Sequence, residues 1–282
     1  MPISIAEAIL QGANKLRKAG VPEARREAGS LLAFLLEKDR TFILSHADDP
    51  ISTEQATLFQ EFLDARAQGE PAQYITGRQD FYGLEFEVTP AVLIPRPETE
   101  LLVEAAIKLV GAEVVSVCDV GTGSGCIAIT LLTQLPQARA IAVDVSAAAL
   151  EIAKRNAARH RVTDRIEFLL SDCLASVPQQ TFDLIVSNPP YVSEDAVATL
   201  QREVRDFEPR VALTAGADGL DVIRRLVTDA RRYLKPHGHF LFEIGFDQHE
   251  AVGNLIDAQV WELLDIHQDL QGIPRTVALR KK

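Results

Sequence analysis

After Gly111 the chain alternates between short apolar runs and longer segments whose apolar residues recur at helical spacing. The predicted strands span residues 114–120, 140–143, 166–170, 182–186 and 239–244, and two further strands close the series. The predicted helices span residues 126–134, 147–160, 220–233 and about 248–258. Such alternation predicts a mostly parallel, doubly wound α/β sheet, because each connecting helix returns the chain to the same sheet edge.

The amino-terminal part of the chain has a different pattern. Apolar residues at helical spacing and the capping box Ser52-Thr-Glu-Gln55 predict a small helical domain over residues 1–72. From residue 73 to 94, aromatic and β-branched residues are interrupted by Gly77 and Gly83, which predicts a β-hairpin that joins two domains. Pro95 and the acids after it suit the start of a helix, so the α/β domain is expected to span residues 95–282.

Composition narrows the function classes. No apolar run approaches the roughly 20 residues that cross a bilayer, and no basic segment followed by an apolar one opens the chain, so we expect a cytoplasmic protein without membrane contact. The net charge of -11 disfavours direct binding to nucleic acid, whose phosphates are neutralised by Lys and Arg. Cys118, Cys126 and Cys173 lack CxxC spacing and a companion histidine cluster, so core thiols and no metal site are expected.

A glycine-rich loop follows the first predicted strand of the α/β domain and precedes a helix. Its residues are Gly121, Thr122, Gly123, Ser124 and Gly125. Glycines at this place let backbone N–H groups and a helix amino end approach a ligand, which predicts a nucleotide-like cofactor. A dinucleotide fingerprint needs its third glycine one position later, where Cys126 stands, and the P-loop lysine is absent, so a pyrophosphate ligand is disfavoured.

Acidic residues follow the next two predicted strands. Asp144 ends the second strand, where a carboxylate can accept hydrogen bonds from ribose hydroxyls. Asp172 ends the third strand and could accept from an exocyclic amine, with the backbone N–H of Cys173 beside it. Asp119, just before the loop, could orient the loop or meet an amino group. Together these positions predict a site for an adenosine without a phosphate.

These features, with Asn188-Pro-Pro-Tyr191 after the fourth strand, resemble class I (Rossmann-like) S-adenosylmethionine-dependent methyltransferases that modify planar nitrogens. Over nearly its full length the chain resembles the HemK/PrmC-type release factor glutamine methyltransferases. The matching motifs are Arg25-Arg-Glu-Ala28, Gln73-Tyr-Ile-Thr-Gly77, Phe81-Tyr-Gly83, Leu93-Ile-Pro-Arg-Pro-Glu-Thr-Glu100, Asp119-Val-Gly-Thr-Gly-Ser-Gly125, Ser187-Asn-Pro-Pro-Tyr191 and Leu213-Thr-Ala-Gly216.

The resemblance implies methyl transfer from S-adenosylmethionine to the glutamine of the Gly-Gly-Gln motif in bacterial class I release factors. The products would be N5-methylglutamine and S-adenosylhomocysteine, and the enzyme is expected to act as a monomer. By the same resemblance the glycine loop, Asp144, Cys173 and Asn188 lie at the cofactor. Cys173 stands where relatives often have a larger residue, so its adenine contact is expected through the backbone.

The tetrapeptide Asn188, Pro189, Pro190 and Tyr191 is the predicted catalytic element. An amide nitrogen is a poor nucleophile because its lone pair is delocalised into the carbonyl. If the Asn188 side-chain oxygen and the Pro189 carbonyl each accept one N–H of the substrate amide, they align the nitrogen and support its developing positive charge. The prolines hold these acceptors rigidly, and the Tyr191 ring offers a surface for a flat amide.

Three other hypotheses are compatible with the sequence. An adenine-N6 DNA methyltransferase would use the same tetrapeptide, but the acidic charge and the absence of a separate basic domain count against it. A glutamine of a ribosomal protein would present the same chemistry as that of a release factor. A non-catalytic module that binds the cofactor would not need an intact tetrapeptide. The sequence assigns no role to Arg96, Thr99 or Glu243.

Overall fold

The computed structural model of the chain describes residues 3–111, 115–179 and 181–282. It divides into two compact units, the first made of Met1–Gly77 with Gln201–Phe207 and the second of Arg78–Leu200 with Glu208–Lys282. Among the described residues the helices are α1 (Ile5–Lys18), α2 (Ala24–Leu35), α3 (Arg40–Ser45), α4 (Thr53–Ala67), α5 (Ala72–Thr76), α6 (Glu100–Val110), α7 (Cys126–Gln134), α8 (Ala147–Arg159), α9 (Arg202–Phe207), α10 (Asp221–Tyr233) and α11 (His249–Gly253). The predicted domain boundaries at residues 72 and 94 stay a prediction.

The first unit is a helical bundle with its own apolar core. Capping boxes begin α1 and α4, where Ser4 pairs with Glu7 and Ser52 pairs with Gln55, so the first N–H groups of both helices are satisfied. The core side chains that are fully buried include Leu16, Leu32, Phe59 and Leu63. Burial of such a side chain contributes on the order of 1.5–3 kcal/mol, which is what holds short helices together.

The short helix α9 belongs to this first unit although it lies far along the chain. Arg66 of α4, 5% exposed, binds Glu27 at 2.8 Å and Glu203 of α9 at 2.7 Å. Gly69, at φ +101°, follows α4, and a Cβ there would stand 3.0 Å from Nε of Arg202. Two carboxylates from distant parts of the chain thus share one buried guanidinium.

The second unit contains a two-stranded antiparallel hairpin and a seven-stranded sheet. The strands are β1 (Arg78–Phe81), β2 (Leu84–Glu87), β3 (Ser116–Val120), β4 (Arg139–Asp144), β5 (Ile166–Leu170), β6 (Phe182–Ser187), β7 (Leu234–Glu243), β8 (Trp261–Gln268) and β9 (Pro274–Lys281). The sheet order is β5-β4-β3-β6-β7-β9-β8. β3, β4, β5, β6 and β7 run parallel to one another, whereas β9 is antiparallel to β7 and β8.

The strand order reverses between β3 and β6, and this switch point positions the site. The chain proceeds from β3 outward to β4 and β5, and then returns to the other side of β3 as β6. The carboxyl ends of β3, β4 and β6 lie in register, with Val120 opposite Val143 and Ser187. Crevices at such a reversal are where open α/β sheets bind ligands.

The mostly parallel sheet confirms the predicted fold class, and some element boundaries differ from the predictions. α11 ends at Gly253 rather than near residue 258, because the N–H groups of Leu255 and Ile256 bond to the carbonyls of Val252 and Gly253, three residues back, and do not continue the helical pattern. β7 begins at Leu234 instead of residue 239, since Leu234 pairs with Phe182 before an irregularity in the ladder. Residue 114 lies outside the described residues. α5 occupies the start of the segment expected as hairpin.

Within residues 3–111, 115–179 and 181–282, no helix combines the length and the apolar character that a membrane span requires.

Candidate active site

A cavity of about 340 Å³ opens at the carboxyl ends of β3 to β6, entirely within the second unit. The predicted site residues that line it are Gly121, Thr122, Gly123, Ser124, Asp144, Asp172, Cys173, Asn188, Pro189 and Pro190. Asp119, Gly125 and Tyr191 are not part of the lining. Residues that follow four different strands therefore meet around one space of ligand size.

The glycine loop takes a conformation that requires its glycines. Gly121, Gly123 and Gly125 have φ of +74°, +55° and +82°, in the left-handed region that other residues avoid. The N–H groups of Gly121 and Thr122 both donate to the Val143 carbonyl at 2.9 Å. A Cβ on Gly125 would stand 2.7 Å from Cδ1 of Ile129, so helix α7 packs directly on the loop. The loop is a fixed turn that presents backbone to the cavity.

Asp119 is fully buried beneath the loop. Its Oδ2 accepts hydrogen bonds from Oγ1 of Thr122 at 2.7 Å and from the N–H of Ala128 at 3.3 Å, and Oδ1 has no hydrogen-bond partner among the described residues. Burial raises the pKa of Asp119 to about 7. Of the two roles open from the sequence, the geometry favours the first, in which Asp119 orients the loop.

Replacement of Asp119 by asparagine is expected to change how stability depends on pH. Because burial raises the pKa of Asp119 in the folded chain, the carboxyl stabilises the fold fully below its ordinary pKa of 3.8, and that contribution is lost as pH rises through about 7. Between about pH 5 and about pH 8 the free energy of unfolding of the native protein should fall by about 2–3 kcal/mol relative to Asp119→Asn. Denaturant unfolding of both proteins at each pH measures this difference, and parallel pH curves would contradict it.

Asp144 connects the end of β4 to the glycine loop. Its Oδ2 accepts from the Gly123 N–H at 2.8 Å and its Oδ1 accepts from the Ser146 N–H at 2.9 Å. Burial raises the pKa of Asp144, and these backbone N–H groups oppose the rise. A carboxylate oxygen offers about two acceptor positions, so each can still accept a hydroxyl from the cavity.

The end of β5 is more open to solvent. Asp172 has a side chain that is 62% exposed and forms an ion pair with Arg225 of α10 at 3.0 Å. The hydrogen bond from Arg225 lowers the pKa of Asp172, so this carboxylate is ionised and already has a cationic partner. Cys173 has φ +50° and lines the cavity, and burial raises the pKa of its thiol to about 11. The thiol is therefore protonated at neutral pH.

The tetrapeptide after β6 is tied to two other elements. Ser187 Oγ donates to the Val120 carbonyl at 2.7 Å, which joins the end of β6 to the glycine loop. Asn188 Nδ2 donates to Oγ1 of Thr99 at 3.0 Å, whereas its Oδ1 accepts no hydrogen bond from the described part of the chain. Asn188 thus keeps its acceptor oxygen available beside the cavity.

Tyr191 lies differently from the rest of the tetrapeptide. Its ring packs against an apolar core cluster, and its hydroxyl donates to Oε1 of Glu243 at 3.0 Å. Burial raises the pKa of the Tyr191 hydroxyl. Its carbonyl accepts from Nε2 of Gln248 at 2.9 Å. The predicted stacking role of the Tyr191 ring stays a prediction.

Three polar residues without a role from the sequence lie next to these groups. Thr99 lines the cavity and donates to Oε2 of Glu243 at 2.6 Å. Glu208, whose side chain is 1% exposed, forms an ion pair with Arg96 and accepts from the Ile94 N–H at 3.3 Å. Glu243 directly follows the apolar run Phe240-Leu-Phe242 at the end of β7, and this pattern is the signal in the sequence that could have indicated a buried polar contact.

Two family models match two successive parts of the chain. The model of the PrmC N-terminal domain matches residues 7–77, and that of the methyltransferase small domain matches residues 97–206. The sheet also superposes on a ribosomal protein L11 methylase from Lactobacillus delbrueckii subsp. bulgaricus, with a TM-score of 0.50 and 21% identity over 66% of this chain and 80% of that one. A 16S rRNA methyltransferase of T. thermophilus, solved with AdoMet and guanosine, gives a TM-score of 0.53 and 21% identity over 73% of this chain and 50% of that one. The fold and the cavity at its switch point define a class I methyltransferase.

Relatives at higher identity cover almost the whole chain. The release factor glutamine methyltransferase of Koribacter versatilis is 44% identical over 99% of both chains, and that of Cereibacter sphaeroides is 44% identical over 98% of both. The chain belongs to the release factor glutamine methyltransferase family. The resemblance drawn from its motifs is thereby confirmed.

Proposed function

We propose that the enzyme methylates the side-chain amide nitrogen of the glutamine in the Gly-Gly-Gln motif of bacterial class I release factors. Full-length identity of 44% to release factor glutamine methyltransferases supports this acceptor. The observation that carries the chemistry is the Asn188 side chain, whose nitrogen is bound to Thr99 and whose oxygen remains an acceptor beside the cavity. The products are N5-methylglutamine, S-adenosylhomocysteine and one proton.

The cofactor is S-adenosylmethionine, which supplies an electrophilic methyl group on a sulfonium. The fit of the cavity to this cofactor is supported by the Ser124 hydroxyl, a buried group with no partner among the described residues, and by a loop whose backbone faces the space. The residues that would hold the cofactor are Asp119, Gly121, Thr122, Gly123, Ser124, Gly125, Asp144, Asp172, Cys173 and Asn188. Asp119 acts through the loop that it holds, and Asp144 accepts from ribose hydroxyls.

The tetrapeptide binds and orients the acceptor amide. Asn188 Oδ1 and the Pro189 carbonyl each accept one N–H of the glutamine, which fixes its nitrogen and supports the charge that develops as the nitrogen–carbon bond forms. Pro189 and Pro190 hold these acceptors at fixed φ, and Tyr191 borders the amide. The methylated nitrogen then loses one N–H proton to water, so an ionised base is not required.

The helical domain, residues 1–72 in the predicted division, binds a second region of the release factor. The acceptor glutamine alone presents little surface, so selection among glutamines requires contacts away from the cavity. The enzyme acts as a monomer in the cytoplasm, on a protein rather than directly on nucleic acid. The net charge of -11 supports that preference, because phosphate binding depends on Lys and Arg.

Incubation with labelled S-adenosylmethionine tests the acceptor. The acceptors are a release factor, the same factor with its Gly-Gly-Gln glutamine changed to alanine, a ribosomal protein and duplex DNA. We expect label on the native release factor, and at least about 10²-fold less on the alanine form, because the reacting nitrogen is gone. Label on the ribosomal protein or the DNA, with none on the release factor, would overturn the proposed acceptor in favour of that substrate.

A further inference from the structure

A continuous path of hydrogen bonds runs from the buried carboxylate of Glu243 to the side-chain amide of Asn188. Glu243 Oε2 accepts from Oγ1 of Thr99 at 2.6 Å, and Thr99 Oγ1 accepts from Nδ2 of Asn188 at 3.0 Å. Thr99 and Glu243 are each 2% exposed, so water does not compete for these bonds. The three side chains come from the turn before α6, the end of β6 and the end of β7.

The direction of each bond in this path follows from the number of protons available. Both carboxyl oxygens of Glu243 act as acceptors, Oε2 from Thr99 and Oε1 from Tyr191, so the single hydroxyl proton of Thr99 points at Glu243. Burial raises the pKa of Glu243, and these two hydrogen bonds oppose the rise. The Thr99 oxygen is then left as an acceptor and takes an N–H from the Asn188 amide. This fixes the amide with its nitrogen toward Thr99 and its oxygen away from it. The acceptor oxygen of Glu243 therefore selects which end of Asn188 is presented to a substrate.

The opposite polarity is available if the carboxylate is lost. A glutamine at position 243 could donate an N–H to the Thr99 oxygen, and the Thr99 hydroxyl would then donate to Asn188. Asn188 would have to rotate its amide and present an NH₂ group. Two donors cannot bind an N–H₂ substrate, so the rotated amide would repel the group that it is meant to hold.

The same carboxylate also binds the last residue of the tetrapeptide. Glu243 Oε1 accepts from the Tyr191 hydroxyl at 3.0 Å, so Glu243 is linked to the last residue of the tetrapeptide directly and to the first one through Thr99. β7 pairs with β6 in the sheet, Ser187 standing opposite Phe242, which places Glu243 one position beyond the last pair. Glu243 thus lies on a strand that pairs with the one leading into the tetrapeptide, a placement that suits precise positioning.

We propose that Glu243 is a positioning residue for methyl transfer, acting through Thr99 to hold the Asn188 amide with its oxygen toward the acceptor. Glu243 touches neither substrate nor cofactor in this role. The inference rests on the proposed function, since it concerns how Asn188 meets an N–H₂ group. In this arrangement Thr99 donates to Glu243 and accepts from Asn188, so it couples the orientation of the Asn188 amide to the carboxylate.

Steady-state kinetics of Glu243→Gln, Thr99→Val and the double variant test the proposal. Each single change should lower kcat by about 10–10²-fold and leave the Kd of S-adenosylmethionine within about three-fold, because it disturbs the Asn188 side-chain amide and leaves the glycine loop intact. The double variant should be no slower than the slower single one, since both act through the same bond. Losses in kcat that multiply, or a cofactor Kd that weakens as much as kcat, would overturn the role.

Two further variants separate positioning from folding. Thr99→Ser keeps the hydroxyl and should retain kcat within about three-fold even if Glu243→Gln fails to fold; a loss as large as that of Thr99→Val contradicts the relay. Thr276→Val makes the same chemical change at a buried threonine opposite Glu243 on β9 and should leave kcat unchanged. A comparable loss there would overturn the proposal.

The native enzyme in the same assay tests the proposed function separately. Absence of label on the release factor would defeat the acceptor assignment alone. The variants would then be measured on whichever acceptor the native enzyme labels, and the non-additivity of the double variant would still decide the relay.

Discussion

Replacement of Asn188 by alanine is expected to lower kcat by about 10² or more while the Kd of S-adenosylmethionine changes only a few-fold. The side chain donates to Thr99 and keeps Oδ1 as an acceptor at the cavity, so its loss removes one of two preorganised acceptors for the substrate amide. The Pro189 carbonyl remains, but a single hydrogen bond leaves the nitrogen of the substrate glutamine free to rotate out of line with the methyl group. An effect on kcat rather than on cofactor affinity is the signature of a contact made to the reacting amide.

Asn254→Ala supplies the matched control, because Asn254 is exposed at the end of α11 and does not line the cavity. Its kcat should equal that of the native enzyme. Calorimetric Tm values of both variants identify any loss that arises from folding. An Asn188→Ala enzyme with native kcat, or one whose cofactor Kd rises in proportion to the loss of kcat, would refute the assignment of Asn188 to the acceptor amide.

Gly219→Ala is expected to lower both stability and kcat, the latter by about 10-fold or more. Gly219 has φ +75°, and a Cβ there would stand 2.3 Å from the Tyr191 carbonyl oxygen and 2.9 Å from Nε2 of Gln248. Backbone atoms cannot accommodate such a distance, so the chain around Tyr191 must move and its hydrogen bond from Gln248 must break. Strain and overpacking of this kind cost about 2–4 kcal/mol, and the displaced tetrapeptide holds the acceptor less well.

Gly20→Ala separates the two causes of that loss. Gly20 has φ +80°, but an added Cβ there would meet no atom within 4 Å. Its cost should be confined to the left-handed conformation, about 1–2 kcal/mol, with kcat retained. Thermal unfolding and kcat measured on both variants make the comparison. Equal kcat for Gly219→Ala and Gly20→Ala would show that the approach of Gly219 to Tyr191 has no bearing on turnover.

The fold class could be predicted because the spacing of apolar residues, and the glycines and prolines between elements, are local properties of the chain. Runs of buried β-branched residues between amphipathic helices specify a parallel sheet wherever they occur, and the glycine loop indicates its own left-handed turn. The convergence of Asp144, Asp172 and Asn188 followed from the same rule, since the carboxyl ends of parallel strands share one edge. Only the direction in which each side chain points was left to the structure.

The partners of Asn188 could not be predicted in this way. Thr99 lies 89 positions from Asn188 and 144 from Glu243, and their contact depends on which strand pairs with β6. That pairing is set by packing over the whole sheet and leaves no local pattern. The burial of Glu243 could not be predicted for the same reason, because a carboxylate at a strand end is expected to be exposed to solvent unless its buried partners are known.

The sharing of Arg66 between Glu27 and Glu203 has a consequence for the newly synthesised chain. Because α9 is part of the helical unit, that unit is still incomplete when its first 77 residues have left the ribosome. Its last component, residues 201–207, emerges only after β3 to β6 have been made. Until then Arg66 has one of its two carboxylate partners, so we expect the helical unit to complete its packing only after residues 201–207 have emerged, whereas amino-terminal domains generally fold first.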